Sequence, residues 1–175
     1  MKVLLSLSVA AALLAGPAYG QDFPKLKPGL WQIERTQTDP PAPKGLNTRT
    51  EFCTDEALQK EMINMGQGIM KGMCTKHEFK ITGSRGAGES VCDMGGTKMT
   101  SRSTMVINGD TGYRTEVKTT FDPPMNGMAQ NTSIIDAKYV GACKPGQKPG
   151  DMTLPNGQTM NMRDVLGRQG GAPPK

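Results

Sequence analysis

One histidine, His77, serves the whole chain of 175 residues, and that scarcity removes most nucleophilic chemistry, because any Ser/His/Asp or Cys/His arrangement must use it. It stands in "KHEFK", a charged alternating stretch that reads as a strand, where a surface histidine accounts for it. Also missing are HExxH, G-x-S-x-G and a glycine loop that opens a phosphate-binding helix. "GSRGAG" holds three glycines, but strand-like stretches lie on both sides, so no helix N-terminus is there to take an anion. No spacing singles out a pair of carboxylates. The chain is therefore expected not to be an enzyme, with no catalytic residue, no cofactor and no metal site. Aromatic residues are equally scarce, at 5% with a single Trp. They are not interleaved with basic residues, which argues against a nucleic-acid partner.

Long apolar runs are absent beyond the start. The opening "MKVLLSLSVAAALLAGPAYG" has one Lys, an apolar run from Val3 to Ala15, and small residues before a cut between Gly20 and Gln21. This is a secretory signal peptide over residues 1–20. Its run is short of the roughly 20 residues that a membrane span needs. A periplasmic or secreted destination follows, with no transmembrane segment in the mature chain. Without Lys2, the mature chain carries 20 basic and 16 acidic residues, and the excess sits late. Lys144 to Lys175 holds five basic against two acidic residues, with five Pro and six Gly. Residues 144–175 read as a basic tail, mostly disordered, because such composition buries too little apolar surface to offset chain entropy. Its charge would at most touch anionic surfaces weakly.

Residues 21–143 are then one domain of ordinary size with a modest core. All four cysteines lie in it, and an even count behind a leader reads as two disulfides. Between Cys53 and Cys74, Leu58, Met62, Met65, Ile69 and Met73 recur at helical intervals after the start signal Thr54-Asp55-Glu56, with Thr54 as the expected cap. A continuous helix of that length holds its ends about 30 Å apart, whereas bridged Cα atoms lie within about 7 Å. Cys53 is thus not expected to pair with Cys74, although Gly66 and Gly68 leave room for a bend. Cys74 and Cys92 end a hairpin folded about Gly83. That leaves Cys53 for Cys143.

The remaining stretches read as strands. "LKPGLWQIERT" places Trp31 and Ile33 inward, and "LNTRTEFC" leads into the helix. "TKMTSRSTMVING" and "YRTEVKTTF" form a hairpin around Asn108 to Gly112, with Ile107 facing Tyr113, Met105 facing Thr115, Ser103 facing Val117 and Met99 facing Phe121. That register sets Arg102 opposite Lys118, a mildly unfavourable pair. "DPPMNGMAQN" reads as a loop, and "TSIIDAKYVGAC" as the last strand. The fold class expected is mainly β: a curved antiparallel sheet or open barrel of about seven strands, with one helix packed on it.

Methionine is what this chain has in plenty, with 13. Met125 and Met128 in "MNGM", and Met160 and Met162 in "MNM", resemble thioether clusters that hold Cu(I) outside the cytoplasm. Met62, Met65 and Met73 fall on the helical stripe instead, where adaptable apolar bulk explains them. "NTS" at Asn131 matches the glycosylation sequon, without meaning in a bacterial host.

The order of "LKPGLWQIE", "FCTDE" entering a helix, a Cys-bounded hairpin and "YVGAC" resembles the bacterial secreted family called domain of unknown function 3617. The likeness covers about Leu26 to Cys143. Gln32 stands where Glu is more usual, and "TDPPAPKG" lacks the methionines often found there. The resemblance implies a periplasmic or secreted protein of proteobacterial type and carries over no catalytic residue. Three functions stay open at this point. The first is a non-catalytic module that binds an apolar ligand or envelope partner between sheet and helix. The second is Cu(I) handling through Met125, Met128, Met160 and Met162. The third is a structural or stress-related envelope protein with no small ligand.

Overall fold

A computed structural model describes residues 23–40 and 47–169. The leader, its cleavage point and the final "GAPPK" lie outside the described residues. Nine strands form one open antiparallel sheet: β1 (Gly29–Asp39), β2 (Thr48–Thr54), β3 (Cys74–Thr82), β4 (Arg85–Asp93), β5 (Lys98–Asn108), β6 (Gly112–Met125), β7 (Met128–Gly141), β8 (Asp151–Thr153) and β9 (Thr159–Asn161). Helix α1 (Glu56–Met73) joins β2 to β3, and α2 (Met162–Gln169) ends the described chain. The order across the sheet is β3-β4-β5-β6-β7-β1-β2-β8-β9. The fold is mainly β, as expected from alternation, with two strands more than the seven read from the sequence.

The length of α1 dictates how this sheet is shaped. In a flat sheet with these registers, Thr54 and Cys74 would stand six strand spacings and about a dozen residues apart, or roughly 50 Å. The helix has 18 residues and spans only about 27 Å. The sheet must therefore coil until its flanks come within one helix length, which the twist of antiparallel strands permits. Helix α1 then crosses the inner face.

Local chemistry places each element. Asp55, rather than Thr54, caps α1, its carboxylate accepting from the Leu58 N–H at 2.7 Å. Thr54 is still paired with Gly29 as the last residue of β2, so its backbone belongs to the sheet. The β5–β6 hairpin has the register expected, Arg102 opposite Lys118 included. Flanking acids ease that pair: Arg102 lies 3.9 Å from Glu89, and Lys118 lies 3.2 Å from Glu116. "DPPMNGMAQN" is not a loop. Strands β6 and β7 run to Met125 and from Met128, joined by Asn126 (φ 49°) and Gly127 (φ 77°), the positive-φ pair that a tight hairpin turn needs. Pro123 and Pro124 fall where the pairing shifts, since they have no N–H to give the ladder.

The tail also departs from expectation over residues 144–169. Strand β8 pairs with β2 and β9 with β8. Composition argued that this segment has no core of its own, and it needs none, because it adds backbone hydrogen bonds to an edge already built. The Gly150 N–H donates to the Cys53 carbonyl at 2.9 Å, and the Met162 N–H to that of Gly150 at 2.8 Å. Asp151 accepts from the Lys148 N–H and the Asn161 amide, which hold its carboxyl below the usual range. Arg163 reaches Glu61 on α1 at 2.9 Å, and Lys144 pairs with Glu51. Two of the tail's cations are thus engaged within the chain.

Cys53 is bonded to Cys143 and Cys74 to Cys92, with no free cysteine. The two bonds pin α1 to the sheet just beyond each of its ends. Only the first half of the methionine stripe is covered. Leu58 is fully buried and Met62 half-buried, whereas Ile69 and Met73 are 46% and 42% exposed. Past Leu58 the helix is at most half-buried, at Met62, Ile63, Met65, Gly66 and Met70, because a helix crossing a coiled sheet turns a different face to it at each end.

Candidate functional site

An apolar cavity of about 260 Å³ lies between α1, the inner sheet face and the segment that precedes β1. The helix supplies Gln59, Met62 and Ile63. Strands β1 and β2 supply Trp31, Ile33 and Phe52, and β5 and β6 supply Met105 and Tyr113. Phe23, Pro24 and Leu26 line it as a strap and leave it partly open. Among the described lining residues none is charged.

The strap is held by contacts that sequence patterns do not announce. Gln59 clamps the backbone of Leu26 from both sides: its amide donates to the Leu26 carbonyl at 3.0 Å, and its oxygen accepts the Leu26 N–H at 3.2 Å. The Lys27 N–H donates to the Asp110 carbonyl, and the Trp31 indole N–H to the Lys27 carbonyl at 2.9 Å. Lys27 also places its ammonium 4.7 Å from the centre of the Tyr139 ring, within cation–π range. Phe23 stacks on Phe79. The Phe79 ring accounts for the last two glycines of "GSRGAG": a Cβ at Gly86 would meet it at 2.9 Å, and Gly88 is crowded by the same ring. They are a bed for an aromatic side chain.

Gly29 does similar work where β1 begins. Its φ is 138°, and a Cβ there would lie 2.7 Å from the Tyr139 ring and clash with the Gly141 carbonyl. "KPGLW" and "YVGAC" therefore meet at one corner, where Trp31 packs against Tyr139 and Tyr113 with ring centroids 6.1 and 6.2 Å away.

One polar group in the cavity wall, Tyr113, and one behind it, Thr115, are not answered by the protein. Tyr113 is half-buried, the hydrogen bonds of the described residues include none to its hydroxyl, and burial raises its pKa. Thr115, two residues along the same face of β6, is buried, and its hydroxyl has no partner. The register of the β5–β6 hairpin places Tyr113 and Thr115 on the inward face, and no sequence signal singles out their hydroxyls.

The methionines proposed for copper do not converge. Met128 lies near Gln37, at the far end of β1. Met160 pairs with Met152, which pairs with Phe52 opposite Trp31. Six residues of β1 separate the two pairs, about 20 Å, so the four sulfurs form no single site. His77 is exposed on β3. Among the described residues no group of three His, Cys, Asp or Glu side chains could hold a metal. None of their helices is long and apolar enough to cross a membrane.

Fold and staples together define a disulfide-bonded, mainly β domain built for an oxidising compartment outside the cytoplasm. The chain matches the family described as protein of unknown function (DUF3617) over residues 26–143, and it belongs to that family. No curated protein and no solved structure matches it.

Proposed function

We propose that this protein is a non-catalytic binding module of the bacterial envelope, exported by its leader, which holds a small apolar ligand between α1 and the coiled sheet. The observation that carries this reading is the uncharged cavity lined by the Phe23–Leu26 strap, the sheet and α1. A dry cavity of roughly 150 Å³ is enough to bind benzene, so about 260 Å³ has room for a two-ring guest or a short acyl chain. Met62 and Met105 in its walls are adaptable side chains that repack around guests of different shape.

The test is titration of the mature protein with the fluorescent apolar probe N-phenyl-1-naphthylamine, beside the cavity-filling variant Ile63→Trp. Stoichiometric binding that the variant abolishes supports the reading. No binding, or binding that the filled cavity does not disturb, overturns it. Native mass spectrometry of protein taken from the periplasm then identifies the natural guest.

A further inference from the structure

We infer that the guest is a neutral molecule bearing a hydrogen-bonding oxygen, such as an alcohol, phenol, ketone or ester, which the Tyr113 hydroxyl recognises. This rests on the apolar-ligand reading above and narrows its chemistry. A pocket that served only to exclude water would be best lined by groups with no polar atoms, and at the Tyr113 position phenylalanine would give the same ring contacts with Trp31. Tyr113 instead places a phenol in the wall, with no partner for it among the described residues. A half-buried phenol that bonds no protein group is free to bond a guest's oxygen.

A second observation points the same way. The Thr115 hydroxyl, roughly 7 Å along the same strand face, is fully buried and unpartnered. It faces Met105, itself a wall of the cavity. A shift of that flexible thioether brings the second hydroxyl within reach of a guest. Both groups are neutral, and each can donate or accept.

An anionic guest fits less well. A carboxylate buried without a cation carries a heavy desolvation penalty, and no lining residue described is charged. Lys27 is committed to the Tyr139 ring. Of the other cations near the lining residues in sequence, Lys25, between Pro24 and Leu26, and Arg35, two residues beyond Ile33 along β1, are both exposed to water.

Three probes of one shape separate these cases: naphthalene, 2-naphthol and 2-naphthoate, titrated at pH 7 into the mature protein and into Tyr113→Phe. The expected result is 2-naphthol bound about tenfold more tightly than naphthalene, as one hydrogen bond to an otherwise unpaired group supplies, with naphthoate the weakest. In Tyr113→Phe that advantage disappears, the ratio of naphthol to naphthalene affinity falling to about one. Equal binding of naphthalene and naphthol, or naphthoate binding tightest and lost in Arg35→Ala, overturns this inference and leaves the apolar-ligand reading standing. If naphthalene and naphthol both fail to bind, the apolar-ligand reading falls, and the inference with it.

Discussion

The ring of Phe23 lies on that of Phe79 with centroids 5.8 Å apart and planes 4° from parallel, which ties the segment before the first strand to the edge of the sheet. An aromatic pair contributes roughly 0.5–1.5 kcal/mol beyond its buried area. Phe23→Ala is expected to loosen the strap and weaken N-phenyl-1-naphthylamine binding by about three- to tenfold, with little change in the melting temperature of the sheet. Unchanged affinity would show that the strap does not line the cavity.

Gly29→Ala combines a positive φ with a clash against Tyr139 and Gly141. Strain of this backbone kind is worth about 1–3 kcal/mol, and here the neighbouring strand β7 has to move as well. Chemical denaturation should show a loss at the upper end of that range or beyond it. A variant as stable as the parent would contradict the contact.

Along α1 the two halves should respond differently. Leu58→Ala removes a fully buried side chain and is expected to destabilise by about 2–5 kcal/mol. Ile69→Ala, on an exposed face, should stay within about 0.5 kcal/mol. Gly66→Ala and Gly68→Ala meet nothing within 4 Å and should each stabilise by about 0.5–1 kcal/mol. Denaturant midpoints for the four variants decide whether the helix sits with this face inward.

The Cys53–Cys143 bond closes a loop with a sequence separation of 90 residues, for which chain entropy gives roughly 4.6 kcal/mol. The double variant Cys53→Ser/Cys143→Ser should lose most of this in denaturation, and hydrogen exchange should rise first in β8 and β9. Those strands depend on Cys53 through the Gly150 hydrogen bond.

Burial raises the Tyr113 pKa, so the folded state holds that proton more firmly than the unfolded chain does. Its contribution to stability is complete below the unfolded value of about 10 and is lost as pH rises through the folded value. Melting temperature should fall less steeply above about pH 10 in Tyr113→Phe than in the parent. Parallel slopes would mean that the phenol is not desolvated.

Wherever a rule of short range applied, the sequence was legible. Alternation placed Trp31 and Ile33 inward, and matching apolar positions gave the whole β5–β6 register. Where two local signals competed, reading was harder. In "DPPMNGMAQN" the prolines of the shifted pairing hid the Asn126-Gly127 turn, although Asn-Gly between strands is the stronger hairpin sign. In the tail, composition measured the capacity to form a core and was blind to an edge strand offered by β2.

By itself the sequence determined seven of the nine strands, helix α1 and the argument that Cys53 does not pair with Cys74, because each follows from spacing between residues near in the chain. Only the tertiary structure decided which face of α1 is covered, that the tail completes the sheet, and that Phe23, Gln59 and Tyr113 line one cavity. Those residues come from segments far apart in sequence. They meet because an 18-residue helix, fastened at both ends, coils the sheet until its inner face closes.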